Sequence, residues 1–235
     1  MVGVLLSIIT FIVSLLFFLK LLSWPIWVSL SVAFLPSLIV FMLIGRFVGK
    51  KAQALMLTAT NFTKRGQMDK AINVLKEGLR LKFFHPLVGS QIYAYLGMLY
   101  YYEKNWNEAL GCLTKVRISH WNPKVMKAMI YFRKRKINEM EQTFKKLLFF
   151  FKKEPFVYAI YAWALQKSGR QDKALKVLKR GIKALKKDDR LERAIENIND
   201  GKPIKMSKYG ELWYQFAFER PPAQPHPLTK RRHYN

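Results

Sequence analysis

The chain has 235 residues, 51% of them hydrophobic, with 41 Lys and Arg against 15 Asp and Glu, a formal net charge of +26. That apolar fraction excludes a disordered basic tail, and a lone cysteine, Cys112, excludes an intramolecular disulfide and a multi-cysteine metal site. Charge and apolarity are segregated: residues 1–19 and 26–45 carry no charge and the first acidic residue is Asp69, which predicts a membrane part followed by a water-soluble part.

Residues 2–19 and 26–44 are each close to twenty residues long. A helix of that length spans a hydrocarbon core of about 30 Å. Lys20, Trp24 and Pro25 between them suit an interfacial turn. The prediction for residues 1–45 is a transmembrane helical hairpin, with Pro36 bending its second helix. A signal peptide fits poorly, because no basic stretch precedes the first run and no small-residue cleavage site follows it. A soluble buried hairpin is disfavoured by two such long uncharged runs side by side. Arg46, Lys50 and Lys51 form a basic juxtamembrane link, 46–51, placed to meet anionic headgroups. Their position puts both termini on the cytoplasmic side of the membrane.

Two later stretches repeat one phrase. Residues 66–78 and 169–181 both read Gly-x-x-Asp-Lys-Ala-x-x-Val-Leu-Lys-x-Gly. Between them, residues 92–113 offer Tyr93, Leu96, Gly97, Tyr100, Ala109 and Leu113 in a matching order. These spacings resemble the tetratricopeptide repeat, a helix-turn-helix unit of about 34 residues. The units start at Ala52, Ser90, Trp121 and Pro155; the third is degenerate, with Met140 where Ala is usual. The resemblance implies an all-α chain: the membrane hairpin, then a right-handed solenoid of about four repeats over 52–200. The last helix of that region, with Leu191, Ala194, Ile195 and Ile198 on one face, would cap the open end.

In that family the first helices line a concave groove. Carried onto this chain, the resemblance places Lys64, Met98, Tyr101, Tyr102, Phe132, Arg133, Trp163 and Lys167 there. An aromatic groove with a few cations suits a protein segment with apolar anchors and acidic groups. Thr60 and Met98 stand where the family's carboxylate clamp needs Asn, so chaperone-tail binding is not expected.

The tail, 201–235, carries Tyr209, Trp213, Tyr214, Phe216 and Phe218, then Pro221, Pro222, Pro225 and Pro227 and a basic end. Its aromatics either pack back on the solenoid or dock on a partner or membrane surface, with Tyr209, Trp213 and Phe216 as the contacts. The stretch 145–154 offers Phe149–Phe151 between lysines, readable as a lipid wedge but more simply as a buried second helix.

No catalytic motif is present. The four histidines, His85, His120, His226 and His233, are scattered, and there is no phosphate-binding loop or nucleophile elbow. The expectation is a non-enzyme without cofactor or metal. The basic surface suits anionic lipid or an acidic protein; net charge alone supports nucleic acid weakly. The functional expectation is a membrane-anchored scaffold or adaptor for other proteins, or alternatively a fixed structural subunit of a large membrane complex.

Overall fold

The computed structural model describes residues 2–20, 25–117 and 120–222; these form helices joined by short turns, with no strand among the described residues. The turn at Trp24, the prolines Pro225 and Pro227 and the basic end lie outside the described residues. The chain divides into two compact units, Met1–Ile130 and Tyr131–Asn235.

The first unit opens with α1 (Val2–Lys20) and α2 (Ile26–Lys64), both long and apolar enough to cross a membrane. They pair antiparallel through small residues. Ser37 Oγ donates to the Ser7 carbonyl at 2.9 Å, Ser14 Oγ reaches the Ala33 carbonyl at 3.4 Å, and Ser7, Ser29 and Ala33 are buried. The outward faces stay apolar and exposed, as at Val13, Phe34 and Met42, a surface far larger than water-soluble proteins tolerate.

α2 does not stop at the end of its apolar run. It continues for 39 residues through positions 46–51, so the expected link is two turns of helix. Its C-terminal half packs on α3 (Met68–Gly78), burying Ala52 and Ala59 with Ala71, Ile72 and Leu75. A 3-10 turn (Leu79–Phe83) leads to α4 (Pro86–Tyr102), which pairs with α5 (Trp106–Thr114). That pairing needs Gly97, because a Cβ there would lie 2.7 Å from the Leu113 side chain. α6 (Trp121–Arg133) begins in the first unit and ends in the second.

The second unit continues with α7 (Ile137–Phe150), α8 (Pro155–Lys167), α9 (Gln171–Leu185) and α10 (Asp189–Asn199). α8 is its core: every residue from Phe156 to Leu165 is buried, as a helix apolar all round must be. α10 starts at Asp188, whose carboxylate accepts from the backbone N–H groups of Arg190 and Leu191, both at 3.0 Å. It buries Leu191, Ala194 and Ile198, while Ile195 is half-buried. A 3-10 turn (Met206–Tyr209) and the single-turn α11 (Glu211–Tyr214) complete the unit.

One turn geometry recurs between successive helices. At Gly66, Lys104, Arg135 and Gly169 the backbone takes positive φ, at 73°, 61°, 57° and 73°. In each, that residue's N–H bonds the carbonyl three back, and the next N–H bonds the carbonyl of the residue five before it. The pairs are Gly66 to Thr63 with Gln67 to Phe62, Lys104 to Tyr101 with Asn105 to Tyr100, Arg135 to Phe132 with Lys136 to Tyr131, and Gly169 to Gln166 with Arg170 to Leu165. This is the Schellman arrangement, which satisfies the last carbonyls of a helix and reverses the chain. Five residues beyond each turn stand Ala71, Ala109, Met140 and Ala174, all fully buried; four further on stand Leu75, Leu113, Phe144 and Leu178, also fully buried. Met140 thus fills the place that alanine holds after the other three turns.

Candidate partner-binding surface

The residues expected to line a groove fall in both units. In the first, Lys64 and Tyr102 are exposed and Met98 is half-buried. Tyr101 is not a surface residue: it is 1% exposed, its ring 5.2 Å from that of Trp106 in an edge contact. The helical register that aims one neighbour outward aims the adjacent one into the α4–α5 interface. Between α2 and α4, Thr60 Oγ1 and the Tyr95 hydroxyl lie 2.6 Å apart, tying the two helices together.

In the second unit the expected anchors are covered by the chain's own tail. Trp163 is 6% exposed, with Trp213 edge-on at 4.8 Å and Phe218 at 5.1 Å between ring centroids. Phe218 also meets Phe132 at 5.8 Å and stacks on Trp213 at 5.7 Å. Phe216 stacks on Phe156 at 5.8 Å, and Tyr209 meets Phe156 edge-on at 5.2 Å. Trp213 and Phe216 are fully buried and Tyr209 is 8% exposed. Of the two readings of the tail aromatics, packing on the chain's own helices is what the structure contains.

Polar contacts seat this segment as firmly as the rings. Arg133 donates through Nη2 to the carbonyls of Phe216 and Ala217, at 3.1 and 2.9 Å, and its guanidinium lies 4.0 Å from the Phe218 ring centre. Trp213 Nε1 donates to Glu219 at 2.8 Å. The Gln166 amide donates to the Lys202 carbonyl and accepts from the Ile204 N–H, both at 2.9 Å. Burial, with Asp188 adding to it and Arg190 opposing, holds the Tyr209 hydroxyl far above the usual phenol range. Lys167, expected beside Trp163, is exposed.

Elsewhere in this unit Glu141 of α7 is buried and receives Lys173 of α9 and Arg170, the residue that caps the start of α9, the lysine at 3.0 and 3.2 Å from its two oxygens. Burial alone would raise that carboxyl. The hydrogen bonds from Lys173 and Arg170 outweigh it and hold the group below its usual range. On the same helix Leu147 and Leu148 are buried, whereas Phe149 and Phe150 are 64% and 55% exposed. The expectation that this phenylalanine run is simply an interior face is therefore corrected: the helix turns its leucines inward and two of its phenylalanines to the outside. Cys112 is buried, and burial pushes its thiol up, consistent with a small apolar core residue.

A basic hollow is lined by Arg190, Arg193, Lys205, Lys208 and Tyr209, among others. Among the described residues, no group of three or more His, Cys, Asp or Glu is placed to hold a metal ion. Arg46, Lys50 and Lys51 are all exposed on α2, with the Lys51 ammonium 4.5 Å from the Phe47 ring centre. No protein-family model matches this chain, and no curated protein matches it.

Proposed function

We propose that the protein is a membrane-anchored scaffold whose cytoplasmic part is a tetratricopeptide-type array of four helix pairs closed by α10. The observation that carries this reading is the double role of α2. Its residues 26–44 form an exposed apolar helix, and Ala52 and Ala59 of the same helix are buried against α3. The anchor is thereby the first helix of the first pair. The recurring turns at Gly66, Lys104, Arg135 and Gly169, with their buried small or apolar followers, support the repeat reading. The exposed cations Arg46, Lys50 and Lys51 just beyond the apolar run support cytoplasmic termini and contact with anionic headgroups.

The partners are other proteins. Tyr102, Met98 and Lys64 offer an aromatic and cationic face in the first unit. In the second, the aromatics of α6 and α8 already hold the tail, so a partner there must displace Trp213 and Phe218 or bind outside them. Purification from native membranes in mild detergent across a salt series tests the reading, with a separately crosslinked sample to identify the partners. A scaffold releases its partners as salt rises, and Tyr102→Ala weakens their recovery. Stoichiometric partners that persist through high salt would identify a fixed subunit instead. A reporter fused to the C-terminus should be active only in its cytoplasmic form; an extracytoplasmic C-terminus overturns the topology.

A further inference from the structure

We propose that the segment 79–87, between α3 and α4, is a third membrane contact. It does not span the bilayer; it seats Phe83, Phe84 and Leu87 at the boundary between headgroups and acyl chains. The inference rests on the reading of α1 and α2 as membrane spans and adds to it a monotopic element.

Three observations converge on this stretch. The first is position. A Cβ on Gly3, at the start of α1, would lie 2.4 Å from the Phe84 carbonyl oxygen and 3.1 Å from Ile44 of α2. Only glycine allows that approach. The His85 ring lies 5.5 Å from that of Phe41, and a Cβ on Gly45 would be 3.5 Å from His85 Nε2. The segment is therefore clasped against the end of the hairpin where both apolar runs meet the basic side. Phe41 precedes Arg46 by about 7.5 Å of helix. Interfacial elements bury their apolar face to about 5–10 Å.

The second observation is exposure. Phe83, Phe84 and Leu87 are 55%, 43% and 53% exposed, three large apolar side chains within five residues. Scattered single apolar residues are ordinary on a protein surface, but these are contiguous with the exposed faces of the two spans. The third is charge. Arg80 and Lys82 are exposed beside them, Lys82 Nζ lying 5.1 Å from the Phe83 ring centre, and no acidic residue occurs between Gly78 and Tyr102. With Arg46, Lys50 and Lys51 on α2, cations flank the apolar tip on two sides. Apolar residues that enter lipid beneath a rim of cations match an anionic bilayer surface, each cation adding to the attraction.

The test uses the full-length protein in vesicles of phosphatidylcholine and phosphatidylglycerol, three to one. With Cys112→Ser as background, a nitroxide is placed at Phe83→Cys, at Leu87→Cys, at Val13→Cys in mid-span, and at Leu57→Cys on the exposed far part of α2. All four positions are exposed on the protein, so the labels leave the fold undisturbed. Collision with oxygen and with a water-soluble nickel chelate reports depth. The expected result is a several-fold lower nickel accessibility at 83 and 87 than at 57, with 13 the most protected. If 83 and 87 match 57 while 13 stays protected, the third contact is overturned and the spans stand. If 13 is open to nickel as well, the spanning reading fails and takes this inference with it.

Discussion

Trp213, in the tail, lies edge-on to Trp163 of α8 with 4.8 Å between ring centroids, and neither indole is more than 6% exposed. Fifty residues of chain separate them, yet they form the centre of an aromatic cluster with Phe132 and Phe218, while Phe216 of the same tail stacks on Phe156 of α8. The tail is thus a structural layer of the second unit.

Replacing Trp213 with alanine should cost about 3–5 kcal/mol, the usual cost of emptying a fully buried aromatic site. Thermal unfolding followed by circular dichroism of the detergent-solubilised protein checks this. An unchanged midpoint would mean that the tail is an ornament and that Trp163 is available to partners.

Lys104 and Arg135 hold a left-handed backbone conformation that glycine holds at Gly66 and Gly169. Side chains with a Cβ resist that region by about 1–2 kcal/mol, partly offset by the greater unfolded freedom of glycine. Lys104→Gly and Arg135→Gly should each raise the urea midpoint, and Gly66→Ala and Gly169→Ala should lower it. Shifts of the same sign for both sets would contradict the shared turn geometry.

Ala174 and Met140 stand at equivalent places, both fully buried. Ala174→Trp should overpack a close helix contact and cost about 1–3 kcal/mol or more. Met140→Ala should instead leave a cavity and cost about 2–5 kcal/mol. Denaturant titration of the two variants distinguishes this register from one in which either position faces solvent.

Glu141 is held below its usual carboxyl range by Lys173 and Arg170 against the cost of its burial. Its folded value lies under its unfolded value of about 4.3, so its contribution is fully present above that pH and is lost as pH falls through the folded value. Glu141→Gln should therefore destabilise the protein near neutrality, by about 1 kcal/mol given the exposure of the lysine. The gap to the parent should close as pH drops below the carboxylate range. A gap independent of pH would mean that the network is not ionic.

Tyr161 stacks on Phe144 at 4.6 Å, and burial, with the Glu141 charge adding to it, pushes its hydroxyl up to about 12. The raised value favours the neutral phenol. That preference is intact below the ordinary phenol value near 10 and is lost as pH rises toward the folded value. Ultraviolet titration should find phenols that ionise only with alkaline unfolding, one fewer in Tyr161→Phe.

Local rules made much of this fold readable. Two uncharged runs of spanning length announced α1 and α2, and the recurrence of Ala71, Ala109 and Ala174 with Leu75, Leu113 and Leu178 announced the helix pairs, because period and small-residue spacing are properties of neighbouring positions. Position 140 was readable only as a departure; its burial needs the surrounding helices. The candidate surface was less legible. Tyr101 and Tyr102 are adjacent aromatics, and a single-residue difference in helical phase sends one to the core and leaves the other outside. The bond from Arg133 to the Phe216 carbonyl and the Trp163–Trp213 contact join remote parts of the chain, and no periodicity encodes such a pairing. Positions 46–51 read as a link because they are basic; exposed cations are equally at home on a solvated helix.

The unbroken course of α2 has a mechanical meaning. No hinge separates Ile44 from Lys64, and that stretch is about 30 Å of helix. A change in bilayer thickness that tilts the span by about 10° carries the far end of α2 sideways by about 5 Å, and α3 with it. With α1 and α2 as the proposed membrane spans, the first helix pair becomes a pointer attached to the lipid, and whatever rests on it would sense the thickness of the membrane as a displacement.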